Sequence, residues 1–163
     1  MDPAKQKFIQ FVQQSFKFRM FLLSKLPSAF FSGVRVKSID ENKSAVTVPF
    51  KWFSQNPFKS TYFACLAMAA ELSTGVLAMM NVHEKNPTVS MLVVGLEANY
   101  FKKATGITTF ICEDGMAIND IVLLAIASGE GKTIKCKSIG ENKDGEIVAE
   151  FFITWSFKAK KSL

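Results

Sequence analysis

The chain has 163 residues, 48% of them hydrophobic and 21% charged, with a net charge of +6 and a pI near 9.3. That is enough apolar content for one ordinary globular domain and too much for a disordered or low-complexity chain. A single His, His83, beside three Cys and no CxxC pair excludes a multi-His metal site and a structural zinc site, so no metal is expected. Catalysis, if there is any, rests on carboxylates, amides, hydroxyls and backbone dipoles.

Asp2-Pro3 is a helix-start pairing, and Phe8, Phe11, Val12, Met20, Leu23 and Leu26 follow at near-helical spacing. One N-terminal helix is predicted, ended by Pro27. Its apolar run Met20 to Leu23 is flanked by Lys17, Arg19 and Lys25, unlike a secretory signal, and three unpaired Cys favour a reducing compartment. A cytoplasmic location is expected. The alternating segments Val34-Arg35-Val36-Lys37 and Val46-Thr47-Val48 predict a hairpin across Asp40 to Ser44, and Lys51 to Lys59, with its Asn56-Pro57, reads as a loop.

From Thr61 to Val82 there is no Lys or Arg, and Glu71 is the only acid. Such a stretch is long enough to cross a bilayer, but a helix that is apolar all round and followed by antiparallel strands is read as the buried centre of a domain. Strands are predicted over 88–100, 106–112, 132–139 and 145–158, with a short helix over 116–127 packed on an edge. The last strand alternates, with Ile147, Ala149, Phe151, Ile153, Trp155 and Phe157 on one face. The run Lys37-Ser38-Ile39-Asp40-Glu41-Asn42-Lys43 returns as Lys137-Ser138-Ile139-Gly140-Glu141-Asn142-Lys143. Shared turn chemistry explains the echo more simply than duplication. The order predicts an α+β domain in which a curved antiparallel sheet wraps a long central helix, with 1–27 as an N-terminal helix, 28–158 as the core and 159–163 as a basic tail. The sheet's second face and open edges favour dimerisation.

Glu71 is the most informative residue. A carboxylate in an apolar helix is either satisfied by neighbouring donors as a structural group, or serves as a base or nucleophile with a raised pKa. Upstream, the first-turn N–H groups of Phe63 and Ala64 have no intrahelical acceptor and lie at the positive end of the helix dipole, where they suit a developing oxyanion.

The run Asn56-Pro57-Phe58-Lys59-Ser60-Thr61-Tyr62-Phe63-Ala64, continuing to Glu71-Leu72-Ser73-Thr74-Gly75, resembles the hotdog-fold thioesterases of the phenylacetyl-CoA thioesterase type. In that family an Asn stands six residues before the His of a His-Gly-Gly turn, and an Asp or Glu stands nine after it and four before a Gly. Asn56, Tyr62, Glu71 and Gly75 repeat that spacing, although Tyr62-Phe63-Ala64 replaces His-Gly-Gly. Tyr100-Phe101-Lys102-Lys103-Ala104 and Gly145 to Glu150 are similar to two later family segments. The likeness spans about residues 30–158 and is that of a divergent branch.

The resemblance implies a hotdog fold and hydrolysis of an acyl-CoA thioester at a dimer interface, in a homodimer or tetramer. No cofactor is implied beyond the coenzyme A of the substrate. Asn56 would position the thioester or the water, the Phe63 N–H would polarise the carbonyl, and Glu71 of a second copy would act as base or nucleophile. Ser90 is a candidate for the family's Ser or Thr on the strand after the helix, although the usual spacing falls on Val93. Phe58, Tyr62 and Ala64 would line the substrate site, with Lys102 and Lys103 for the coenzyme A phosphates. A non-catalytic acyl or lipid carrier is the alternative. Nucleic-acid binding is disfavoured, because the basic residues are spread without an Arg-rich cluster.

Overall fold

The computed structural model describes residues 2–160. Its N-terminal part is not one helix but three: α1 (Pro3–Gln13), α2 (Ser15–Lys25) and α3 (Pro27–Phe31). Asp2 caps α1, its carboxylate accepting the Ala4 N–H at 2.9 Å. Gln14 leaves the helical conformation with ψ at 84°, although neither Gly nor Pro marks the place. The break lets α2 fold back, so that Phe18 and Phe21 pack on Phe11 with ring centroids 5.7 and 5.9 Å apart. Pro27 stops α2 as expected but also opens α3, because its fixed φ suits a first helical turn.

The hairpin forms from β1 (Arg35–Ile39) and β2 (Ser44–Val48), and a short 3-10 turn over Trp52–Ser54 interrupts the loop that follows. The central helix, α4, runs Phe63–Val82. Then come β3 (Val89–Tyr100), β4 (Thr108–Cys112), α5 (Gly115–Ser128), β5 (Lys132–Glu141) and β6 (Ile147–Ala159). The six strands form one antiparallel sheet in the order β1-β2-β4-β5-β6-β3. The sheet curves around α4, which touches every strand, and α5 lies beside α4 against β5 and β6 rather than on a sheet edge. The predicted inward face of β6 is buried from Ala149 to Phe157, with Ile147 exposed at its entrance.

By length and hydropathy α4 could cross a membrane, but 67% of its apolar window is buried inside the domain. A helix that is apolar on every side has no polar face to fix its rotation. Its few hydroxyls do that work. Ser73 Oγ lies 2.7 Å from Ser138 Oγ on β5, the Ser73 carbonyl accepts from Ser44 Oγ on β2 at 2.5 Å, and Thr74 Oγ1 accepts the indole N–H of Trp155 on β6 at 2.8 Å.

The two copies of the sequence echo both enter turns, but with different residues making the bonds. Asp40 Oδ1 accepts the N–H groups of Asn42 and Lys43, whereas in the second turn Asn142 Oδ1 accepts those of Asp144 and Glu146. Gly140, at the place of Asp40, lies under the buried Phe110 ring, where a Cβ would come within 2.5 Å of a ring carbon. The likeness in sequence therefore does not extend to a shared set of turn bonds. Cys112 and Cys136 lie buried on β4 and β5 as free thiols, and burial raises both pKa values, that of Cys112 to about 12.

Replacing Thr74 by Val keeps the shape of the helix but leaves the Trp155 N–H buried without an acceptor. The change should lower stability by about 1–3 kcal/mol, measured by urea unfolding; an unchanged midpoint would show that this bond does not hold the helix in place.

Candidate functional site

The loop before α4 is built around one amide. Asn56 Oδ1 accepts the Phe58 N–H at 2.9 Å and the Ser60 N–H and hydroxyl at 3.2 Å each, an Asx-type turn closed by a bridge between Gln55 and Thr61. Lys59 completes the turn in the left-handed region, at φ 58°. With its oxygen committed, Asn56 has its NH2 group to offer, held only by a 3.5 Å contact to the Thr61 carbonyl.

The backbone then enters α4 under tight control. The Thr61 N–H donates to the Ala104 carbonyl at 2.8 Å, and the Tyr62 N–H donates to the Ser54 carbonyl at 2.7 Å. The N–H groups of Cys65 and Leu66 both turn back to the Tyr62 carbonyl. The Phe63 and Ala64 N–H groups remain without an acceptor among the described residues, and they sit where the helix dipole is positive.

These groups border a cleft of about 590 Å³ between the start of α4 and the end of β3. The cleft brings together Asn56, Phe58, Tyr62, Phe63, Lys102 and Lys103. Its walls are largely aromatic, with Tyr62 and Phe63 in edge contact at 4.9 Å and Tyr100 and Phe101 opposite. Ala64 lies on the adjoining helical turn and does not line it. Lys102 is ion-paired with Glu146, and Lys103 Nζ donates to the Phe58 carbonyl at 3.3 Å. Trp52 and Phe53, a few residues upstream, lie outside the cleft.

Glu71 is not in this cleft. Eight residues separate it from Phe63, about 12 Å along the helix axis and about 80° around it. Its carboxyl lies in a second cleft of about 260 Å³, under Leu26, Pro27 and Ser28 at the junction of α2 and α3 and beside Met68. No cation pairs with it among the described residues, and burial alone raises its pKa. Gly75, one turn further on, gives it room: a Cβ there would stand 3.3 Å from Glu71 Oε1 and 3.4 Å from the Trp155 ring.

Ser90 also stands apart. Its hydroxyl donates to the Lys158 carbonyl at 3.0 Å, and ten strand residues, about 33 Å, lie between it and the Tyr100 end of β3. A single chain therefore joins Asn56 and the Phe63 N–H but holds Glu71 and Ser90 elsewhere. The wall over Glu71 escaped sequence reasoning, because only tertiary folding carries Leu26 to Ser28 onto α4. Among the described residues no three His, Cys, Asp or Glu side chains converge as a metal site.

A curved antiparallel sheet wrapped on one long helix, with a loop-to-helix site at the helix start, defines a hotdog-fold protein. The chain belongs to the family described as a domain of unknown function, DUF4442, whose model matches residues 16–157. No curated protein matches the sequence. Solved structures of the same fold include a protein of unknown function from Chlorobaculum tepidum, 18% identical over 91% of this chain and 96% of that one, with a TM-score of 0.76. A protein of Pseudomonas aeruginosa described as a probable thioesterase is 17% identical, covering 98% and 99% of the two chains at a TM-score of 0.72. A thioesterase from Haemophilus influenzae is 11% identical, covering 90% and 91% at a TM-score of 0.65.

A carboxyl whose pKa is raised on folding opposes stability once it ionises. Stability is therefore greatest below the ordinary Glu range near 4.3 and declines as pH rises through the higher folded value. Glu71→Gln should melt above the wild type at pH 7 to 8, with the gap closing in acid. Equal melting temperatures across that range would mean that Glu71 is not strained by burial.

Proposed function

We propose that the chain is an acyl-CoA thioesterase whose site is completed by a second copy. One observation carries this reading: the aromatic cleft presents an unpaired helix-start N–H and a free amide NH2 but no base, while the only raised-pKa carboxylate of α4 faces a separate opening. A second copy brought across β3 would unite the halves. That strand is suited to it: β3 pairs only with β6, and Leu92, Val94 and Leu96 are exposed along it. A 12-residue apolar edge is a liability unless another strand covers it. Antiparallel pairing centred on Gly95 would lay Ser90 of one copy opposite Tyr100 of the other, at the mouth of the cleft.

In this site the Phe63 N–H, with that of Ala64 beside it, stabilises the developing oxyanion, and the Asn56 NH2 holds the carbonyl or the water. Glu71 of the second copy removes a proton from water, or attacks the carbonyl itself. The aromatic walls, with Phe58 and Tyr62, receive the acyl group. Lys103, and Lys102 once released from Glu146, face the phosphates of coenzyme A. Free, buried Cys65, Cys112 and Cys136 agree with a reducing, cytoplasmic setting. Replacement of the family's His by Tyr62 favours a second reading, a carrier that binds acyl groups without hydrolysing them.

Thiol release from short, long and aromatic acyl-CoAs distinguishes the two. Glu71→Gln should lower kcat/KM by about 10²-fold or more, and activity should fall in acid as Glu71 takes up its proton. Asn56→Asp keeps the oxygen that organises the loop while removing the NH2 donors, and should cost about 10²-fold. Mixing the two inactive variants under exchange should restore turnover through hybrid dimers. Absence of turnover on every acyl group leaves the carrier; a monomer in sedimentation refutes the shared site.

A further inference from the structure

Helix α2 is apolar on two opposite faces. Phe18 and Leu22 point inward and are buried, as a helix packed on a domain requires. On the opposite side Phe16, Met20 and Leu23, at positions i, i+4 and i+7, form a ridge in solvent, with Phe16 78% exposed. The apolar surface does not end with the helix. Arg19, at the flank of the ridge, lies 4.0 Å above the Phe30 ring; Phe30 meets Phe31, and Phe31 meets Phe53, which touches Trp52. Trp52 is 81% exposed.

The segment that supplies most of this surface carries charge of one sign. Residues 3–39 hold seven Lys and Arg and no Asp or Glu. On α1 the charge is answered from elsewhere, Lys7 pairing with Glu84. Lys17, Arg19, Lys25 and Arg35 have no carboxylate within ion-pair distance among the described residues. Arg19 and Arg35 share the rim of a small pocket, close enough that Arg35 helps depress the Arg19 pKa.

We propose that this face, formed by α2 with Phe31, Trp52 and Phe53, docks peripherally on an anionic phospholipid bilayer. Exposed Trp and Phe set among Lys and Arg are the composition of an interfacial anchor, in which rings enter the headgroup boundary and cations meet lipid phosphates. A second copy fits the surface less well, because a symmetric interface would set the same unpaired cations against each other. The docking does not depend on thioester hydrolysis, since Phe16, Met20, Leu23, Phe31, Trp52 and Phe53 line neither the aromatic cleft nor the cleft of Glu71.

The protein carries its own reporter. Of its two tryptophans, Trp155 is buried and Trp52 is exposed. The full chain is titrated with vesicles of phosphatidylcholine alone and with added phosphatidylserine, following tryptophan emission and co-sedimentation. Emission should shift to the blue with phosphatidylserine vesicles and reverse with salt. Trp52→Phe should abolish the shift while sedimentation persists. Phe16→Glu with Leu23→Glu should weaken sedimentation by about tenfold or more, and Lys17→Gln with Arg35→Gln by about tenfold or more, with unchanged melting temperatures. Failure to bind anionic vesicles, or equal binding to neutral ones, would overturn the proposal. So would a Phe16→Glu, Leu23→Glu variant that binds vesicles normally but has a smaller mass in solution, since a second copy would then be the occupant. Acyl-CoA turnover measured without vesicles should be the same in all these variants, which separates this outcome from that of the thioesterase reading.

Discussion

Everything the site presents depends on how α4 is rotated against the sheet. The helix is apolar on all sides, so hydrophobic burial alone would be satisfied by many rotations and slides. Hydroxyl bonds to three strands, through Ser73 and Thr74, remove that freedom, because another rotation would strand buried donors. Glu71 precedes Ser73 by two residues. The bonds that satisfy the core thus also aim the carboxyl away from the sheet, toward the α2–α3 junction, and hold the start of α4 against Ala104 and Ser54.

The site is correspondingly divided. Its N–H and amide donors are fixed by loop and helix-start geometry within one chain, whereas the Glu71 carboxyl opens on another side. The edge of β3, with Leu92, Val94 and Leu96 exposed, is apolar and needs covering. In the proposed dimer fold and chemistry make the same demand, since covering that costly edge is also what brings the halves together.

Much of this was legible in the residues. The absence of Lys and Arg between Thr61 and Val82 marks α4, and the alternation from Ile147 to Phe157 marks the inner face of β6. The Asn56-Pro57 turn is readable because Asx chemistry is local. The break at Gln14 was not legible, since it arises from Phe18 and Phe21 packing back on Phe11 rather than from a breaker residue. Aromatic residues also hide their direction: Phe58 and Phe63 border the cleft while Trp52 and Phe53 face outward, and nothing in residue type separates them. A lone acid announces Glu71, but its walls come from a segment more than forty residues earlier.

The two buried thiols at the centre of the sheet give the molecule a kinetic property. Cys112 and Cys136 sit on neighbouring strands with their pKa values pushed up by burial, so almost no thiolate exists in the folded state. Both are fully buried, so alkylating reagents and oxidants can reach them only when the packing that covers the middle of the sheet opens. The rate at which these cysteines are modified is therefore a clock for opening of the sheet's middle, and oxidative damage to the core is governed by how often that opening occurs.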